Sequence, residues 1–289
     1  MNNPKITIVT PSYNQNDFIE ETILSVINQD YKNIEFIIID GGSTDGSVNT
    51  IKKYEKSLSF WISRKDDGQS DAIHKGFKMA TGDIVCWLNS DDFFIPGALT
   101  NVAKSFEKNP TTDILLGDSM YSDINSNIIK YYRYTKPHLF MAKQGVIAFG
   151  QQSMFFNRKF YLKSGGLLTD FHYCMDSEFI HRAIKSRSNF TLMHYGSGVF
   201  RWHEKMKSLL DKNLELKGNK VIERKLIGGR KAEEKSIIAN KYYSNFSLRK
   251  VSRFINTLIQ LLNGNYILSY LKTMKLKHLN LKLFLKKKK

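Results

Sequence analysis

Short apolar runs alternate with amphipathic stretches through the first third of the chain. Residues 6–10 (ITIVT), 35–40 (EFIIID), 60–63 (FWIS) and 84–88 (IVCWL) have the length and apolar continuity of buried strands. Between them, residues 18–27 place Ile19, Ile23, Val26 and Ile27 on one helical face. Residues 72–79 do the same with Ala72, Ile73, Gly76 and Phe77. Strands alternating with helices predict an α/β fold, a mostly parallel sheet flanked by helices with right-handed crossovers.

From Ile114 the pattern changes. Residues 120–132 read as a hairpin turning around 123–127, 153–156 as a strand, and 158–164 as a short helix stopped by Gly165-Gly166. A second helix is expected over 176–185, then short strands at 190–195 and 199–202. From Glu204 the chain is helical and lysine-rich. No repeat or long linker interrupts the body, so one domain with a mixed sheet is expected over about 1–205, followed by a basic helical extension over 206–289.

Open α/β sheets bind ligands beyond the carboxyl ends of their strands. The segments there are Pro11-Ser12-Tyr13-Asn14, Asp40-Gly41-Gly42-Ser43-Thr44-Asp45-Gly46, Asp66-Asp67-Gly68-Gln69-Ser70-Asp71 and Asn89-Ser90-Asp91-Asp92. Each alone is ordinary turn chemistry. Together at one sheet edge they gather carboxylates whose repulsion needs a cation or a ligand's donors to offset it. Asp91 and Asp92 suit a hard divalent cation such as Mg²⁺ or Mn²⁺, which bridges carboxylates to phosphates; the same residues also suit an Asp-rich turn before Pro96-Gly97. Asp40 can accept hydrogen bonds from a base or ribose. A Gly-rich nucleotidyltransferase loop and a GxGxxG dinucleotide turn are both missing after the first strand.

Several of these segments, TIVTPSYNQ, IIIDGGSTDGS, DDGQSDAIHKGFKMATGD and WLNSDDFFIPGAL, are followed by GQQSMFFNRKFYLKSGGL, MDSEFIHRAIK and FRWH. In this order and approximate spacing, over about residues 4–205, the chain resembles family 2 glycosyltransferases of the Rossmann-like GT-A fold. The resemblance implies inverting sugar transfer from a nucleoside diphosphate sugar to a hydroxyl of a growing or lipid-linked glycan. UDP is the first nucleotide expected, with GDP and dTDP open. It also implies a nucleotide-binding half over about 1–117 and an acceptor half over about 118–205.

By the same resemblance, Thr10, Pro11, Tyr13, Asp40, Asp66, Asp71, Lys75 and Asn89 line the nucleotide groove. Asp91, with His203, would hold Mn²⁺ or Mg²⁺. Asn89 stands where many members carry the first acid of the metal motif, an amide that hydrogen-bonds but adds no charge. Gln151, Gln152, Asp92 and Arg201 match the donor-sugar and acceptor pocket. Asp176 matches the general base; without the resemblance it reads first as a helix cap. Glu178, two residues on, points roughly 200° away on a helix and cannot share that role.

Charge separates the two regions. Residues 1–200 carry 21 Lys/Arg and 21 Asp/Glu, whereas 201–289 carry 23 and 6 and supply the whole net +17. Arg249–Leu262 sets Val251, Phe254, Ile255, Leu258, Ile259 and Leu262 in one stripe, and the chain ends in four lysines. An interfacial segment drawn to anionic lipid and a helical appendage packed on the body both fit this pattern. Nucleic acid is not the expected partner, since no recognition fold is evident. Cys86 and Cys174 form no disulfide framework, and neither a secretory signal nor an 18-residue apolar span is visible. These features set the expectation of a cytoplasmic protein, with peripheral attachment to the inner face of a membrane through the tail. A catalytically degenerate scaffold at a membrane is the rival reading, resting on Asn89 and the tail.

Overall fold

The computed structural model describes residues 2–207, 219–243 and 248–276. Four parallel strands, β1 (Ile6–Ser12), β2 (Ile34–Asp40), β3 (Phe60–Ser63) and β4 (Ile84–Trp87), lie in the order β3-β2-β1-β4. Their side chains alternate between two cores. Ile6, Ile8, Phe36 and Ile38 face one, while Val9, Ile37 and Ile39 face the other. The first core is covered by α1 (Ile19–Ile27), α2 (Ser47–Lys53) and α4 (Ala98–Lys108), and the second by α3 (Gln69–Met79). Gly76 lets α3 approach β1 closely: a Cβ there would lie 2.4 Å from Val9 Cγ1.

The sheet continues through β5 (Phe93–Phe94), β6 (Ile114–Ser122), β7 (Ile128–Tyr132), β8 (Met154–Asn157) and β9 (Phe190–Arg201), in the order β4-β8-β6-β9-β5 with β7 on β6. Strand β8 runs antiparallel to both β4 and β6, and β9 is parallel to β6. The ends of β1, β2, β3, β4, β6 and β9 therefore reach the same edge. The expected hairpin is present, its turn held by Asp123, whose carboxylate accepts from the Asn125 and Asn127 N–H groups. The two strands expected at 190–195 and 199–202 are one, β9, whose register against β6 shifts around Gly117–Ser119. Gly198 lies within it because β9 crosses close to the 151–153 turn; a Cβ there would lie 2.1 Å from the Gln152 carbonyl oxygen.

Helices α5 (Leu139–Ala142), α6 (Arg158–Lys163) and α7 (Met175–Lys185) precede the long α8 (Asn219–Tyr242), whose Ile238 and Tyr242 join the second core. Helices α9 (Arg249–Leu262) and α10 (Asn265–Leu276) follow, and α10 packs on β7. Among the described residues, no helix is long and apolar enough to cross a membrane. The expected C-terminal helices are present; the terminal lysines lie outside the described residues.

Candidate active site

The loop after β2 is organised by Asp40. Its buried carboxylate accepts from Gly42 N–H at 3.1 Å, Ser43 N–H at 2.8 Å, Ser43 Oγ at 2.5 Å and Ser63 Oγ at 2.7 Å. Asn14 ties the loop to β1: its N–H donates to Ser43 Oγ and its Oδ1 accepts the Thr44 N–H. Thr10 and Pro11 are buried at the end of β1, and Tyr13 stands exposed beside them. The Asp66 carboxylate lies over Gly41 and accepts from Gly68 N–H at 2.9 Å. Burial, helped by the Asp71 and Asp40 charges, pushes Asp66 above the usual carboxylate range. Burial also opposes ionisation of Asp71, but its 2.6 Å pair with Lys75 and the Asp67 N–H outweigh that and hold it low.

At the end of β4, Asn89 is a junction. Its Nδ2 donates to Gln151 Oε1 at 3.0 Å and to Asp92 Oδ2 at 3.3 Å, and its Oδ1 accepts from Gln69 Nε2 at 2.7 Å. Asp91 Oδ2 lies 3.1 Å from His203 Nε2, and the His203 ring packs on Phe18 with its Nδ1 buried and without a hydrogen-bond partner among the described residues. Asp92 is buried and accepts the Arg201 N–H. Burial, then the adjacent Asp91 charge, pushes its carboxyl well above the usual range.

Arg201, matched by resemblance to the donor-sugar and acceptor pocket, is enclosed by protein groups. It is 1% exposed, pairs with Glu21 at 2.6 Å, donates to Ser126 Oγ and the Asp91 carbonyl, and lies over Phe18 and Phe93. A guanidinium so engaged braces the 89–92 loop. Gln151 bridges Asn89 and the Trp87 carbonyl. Gln152 is buried beside β9, its Nε2 without a partner.

Asp176 occupies the first turn of α7, where the helix dipole favours a carboxylate. Burial nevertheless raises its pKa, against hydrogen bonds from the Ser177 N–H and the nearby Lys207 charge. Glu178 is fully buried in a different network, with Arg182, Tyr242 Oη and Lys241. Two residues absent from the sequence reading complete the site. Glu234 of α8 accepts the N–H groups of His172, Tyr173 and Cys174, each at 2.8 Å, fixing the turn into α7. Lys207 Nζ donates to Gln69 Oε1 at 3.0 Å and to the His172 carbonyl, so the β4 loop and the Asp176 loop share one hydrogen-bonded path. Burial pulls its ammonium down to about 8. Lys207 lies four positions after His203, the one sequence hint; Glu234, in a lysine-rich helix, offers none.

Asp91 and His203 fit a divalent metal as a pair. Neighbouring ligands at about 2.1 Å on an octahedral ion stand about 3 Å apart, close to their separation. No group of three or more His, Cys, Asp or Glu residues among the described residues could hold an ion. An ion held by this pair would need its remaining ligands from outside these side chains.

The glycosyl transferase family 2 model matches residues 7–166. An uncharacterized glycosyltransferase, Rv1514c of Mycobacterium tuberculosis, is 31% identical over 182 residues, covering 62% of this chain and 69% of the relative. In fold, the chain is similar to Staphylococcus aureus TarS 1–349 solved with UDP-GlcNAc, with a TM-score of 0.59 at 15% identity over 78% of this chain and 70% of that one. It is also similar to the mannosyltransferase PcManGT of Pyrobaculum calidifontis, solved with GDP-Man and Mn²⁺, with a TM-score of 0.57 at 15% identity over 98% and 85% of the two chains.

Proposed function

The chain belongs to glycosyl transferase family 2, and from that premise we propose that it moves a sugar from a nucleoside diphosphate donor to a hydroxyl of a growing or lipid-linked glycan, with inversion. The observation that carries this reading is the path Asn89–Gln69–Lys207–His172, which joins the β4 loop to the loop bearing Asp176. Donor and acceptor would meet in the crevice along it.

Asp176 would take the proton from the acceptor hydroxyl as that oxygen attacks the anomeric carbon. Burial raises its pKa, which makes its ionised form a stronger base than an ordinary carboxylate. Glu178, paired with Arg182, cannot substitute. The loops carrying Tyr13, Asp40, Asp66 and Asp71 would hold the nucleoside, with Asp40 acting through the backbone it orders. Lys207 would offset negative charge near the diphosphate. Asp91 and His203 would hold Mn²⁺ or Mg²⁺, which when bound offsets charge on the leaving diphosphate.

Thermal shift with UDP, GDP, dTDP and CMP, in Mn²⁺ or EDTA, tests the donor site. The expected result is a nucleotide-selective, metal-dependent rise, about 2.7 kcal/mol at one hundred times the dissociation constant, lost in Asp91→Ala. A folded protein that no nucleotide stabilises overturns the reading in favour of the scaffold.

A further inference from the structure

Helices α9 and α10 are turned inside out relative to an ordinary surface helix. Polar groups face the body: Ser252, Gln260 and Asn265 are buried. The Thr273 and Ser269 hydroxyls accept the N–H groups of Tyr131 on β7 and of Arg133 just after it, capping donors along the sheet's free edge. Lys272 also points inward, to Tyr131 Oη at 2.9 Å. Ile255, Ile259, Leu268 and Leu276 are half-buried, but many large apolar groups face out. Phe254 is 64% exposed and Leu262 85%, with Leu258, Ile267, Leu271 and Met274 on the same outward surfaces.

A solvated patch of this composition marks an interaction surface, and charge identifies its occupant. From residue 235 to 289 the sequence has 13 Lys/Arg and no Asp/Glu, and Lys250, Arg253 and Lys275 are exposed along the same helices. A second copy would bring two acid-free basic faces together. An anionic bilayer supplies the opposite charge at its headgroups and an apolar layer below them. We propose that α9 and α10 dock this protein on an anionic lipid surface, their outward apolar side chains inserted among the acyl chains and their basic residues at the headgroups.

Flotation of the full chain, without nucleotide, tests this independently of the transferase reading. The vesicles are equal parts phosphatidylglycerol and phosphatidylcholine, or phosphatidylcholine alone. The protein should float with the mixed vesicles and not the neutral ones, and Leu258→Glu/Leu271→Glu should cut the bound fraction about tenfold or more. Both leucines are outward-facing, so the variant should keep the wild-type circular dichroism melt. No flotation with mixed vesicles, equal flotation with neutral ones, or undiminished flotation of the folded variant would each overturn the proposal. A dimer in light scattering that the variant dissolves, with no flotation, would assign the face to a second copy instead.

Discussion

The loops after β2 and β3 and the loop before α7 are all tightly hydrogen-bonded, yet by different means. Asp40 binds residues two and three positions on, Asp45 binds Ser47, and Asp66 binds Gly68. The turn into α7 relies on Glu234, sixty or more residues away, and on Lys207, thirty-five away. The nucleotide side can form its loops as soon as its strands pair. The Asp176 side has its final shape only once α8 and the 203–207 segment have packed. Damage to the first should therefore weaken nucleotide binding, and damage to the second should reduce turnover while sparing it.

The strongest test of that division is Asp176→Asn. Turnover should fall about 100-fold to 10,000-fold, the range for loss of a positioned base, with the nucleotide-dependent thermal shift intact. Wild-type turnover should rise with pH through a value above the ordinary carboxylate range, because the ionised form is the base and burial raises its pKa. Stability responds in the opposite sense. A carboxyl with a raised folded pKa contributes stability that is full below its unfolded value, about 3.9, and is lost as pH rises through the folded one. The neutral amide escapes that loss, so Asp176→Asn should melt at or above the wild-type temperature at pH 7. Near-normal turnover would move the base elsewhere.

Glu234→Gln probes the same side without touching the reacting groups. One of two buried carboxylate oxygens becomes an amide donor facing backbone N–H groups. Losing a charged acceptor costs about 1.5–3 kcal/mol, and displacement of the α7 turn should slow turnover about tenfold or more. Nucleotide affinity should stay within error. A parallel loss of affinity would mean that α8 supports both sides and that the division is wrong.

The contrast also explains what could be read from the chain. The β1–β4 runs, the helical faces of α1 and α3 and the acidic loops are legible because each shows as a local pattern of residue types. The continuous β9 was read as two strands because Gly196 and Gly198 interrupt its apolar alternation; they are needed for close crossings that only the folded sheet creates. The packing of Arg201 is not legible in the chain because its partner Glu21 is 180 residues away. The stripe on α9 was legible as a period, but periodicity fixes an angle around the axis and not whether that side meets the core. Nothing in the sequence shows that the polar side would be drawn inward by unpaired N–H groups of β7.

The smallest expected effect lies on the nucleotide side. Ser43→Ala removes a hydroxyl that donates to Asp40 Oδ1 and accepts Asn14 N–H, leaving Asp40 its backbone donors and Ser63. One such hydrogen bond contributes about 1 kcal/mol net, enough to weaken nucleotide affinity by about threefold to tenfold if the loop's order is what the nucleotide reads. Turnover at saturating donor should be unchanged, since Glu234 and Lys207 hold the other side independently of this loop. Steady-state kinetics separate the cases. A raised KM for donor with unaltered kcat sharpens the division, whereas a fall in kcat would show that the β2 loop shapes the crevice as far as Asp176.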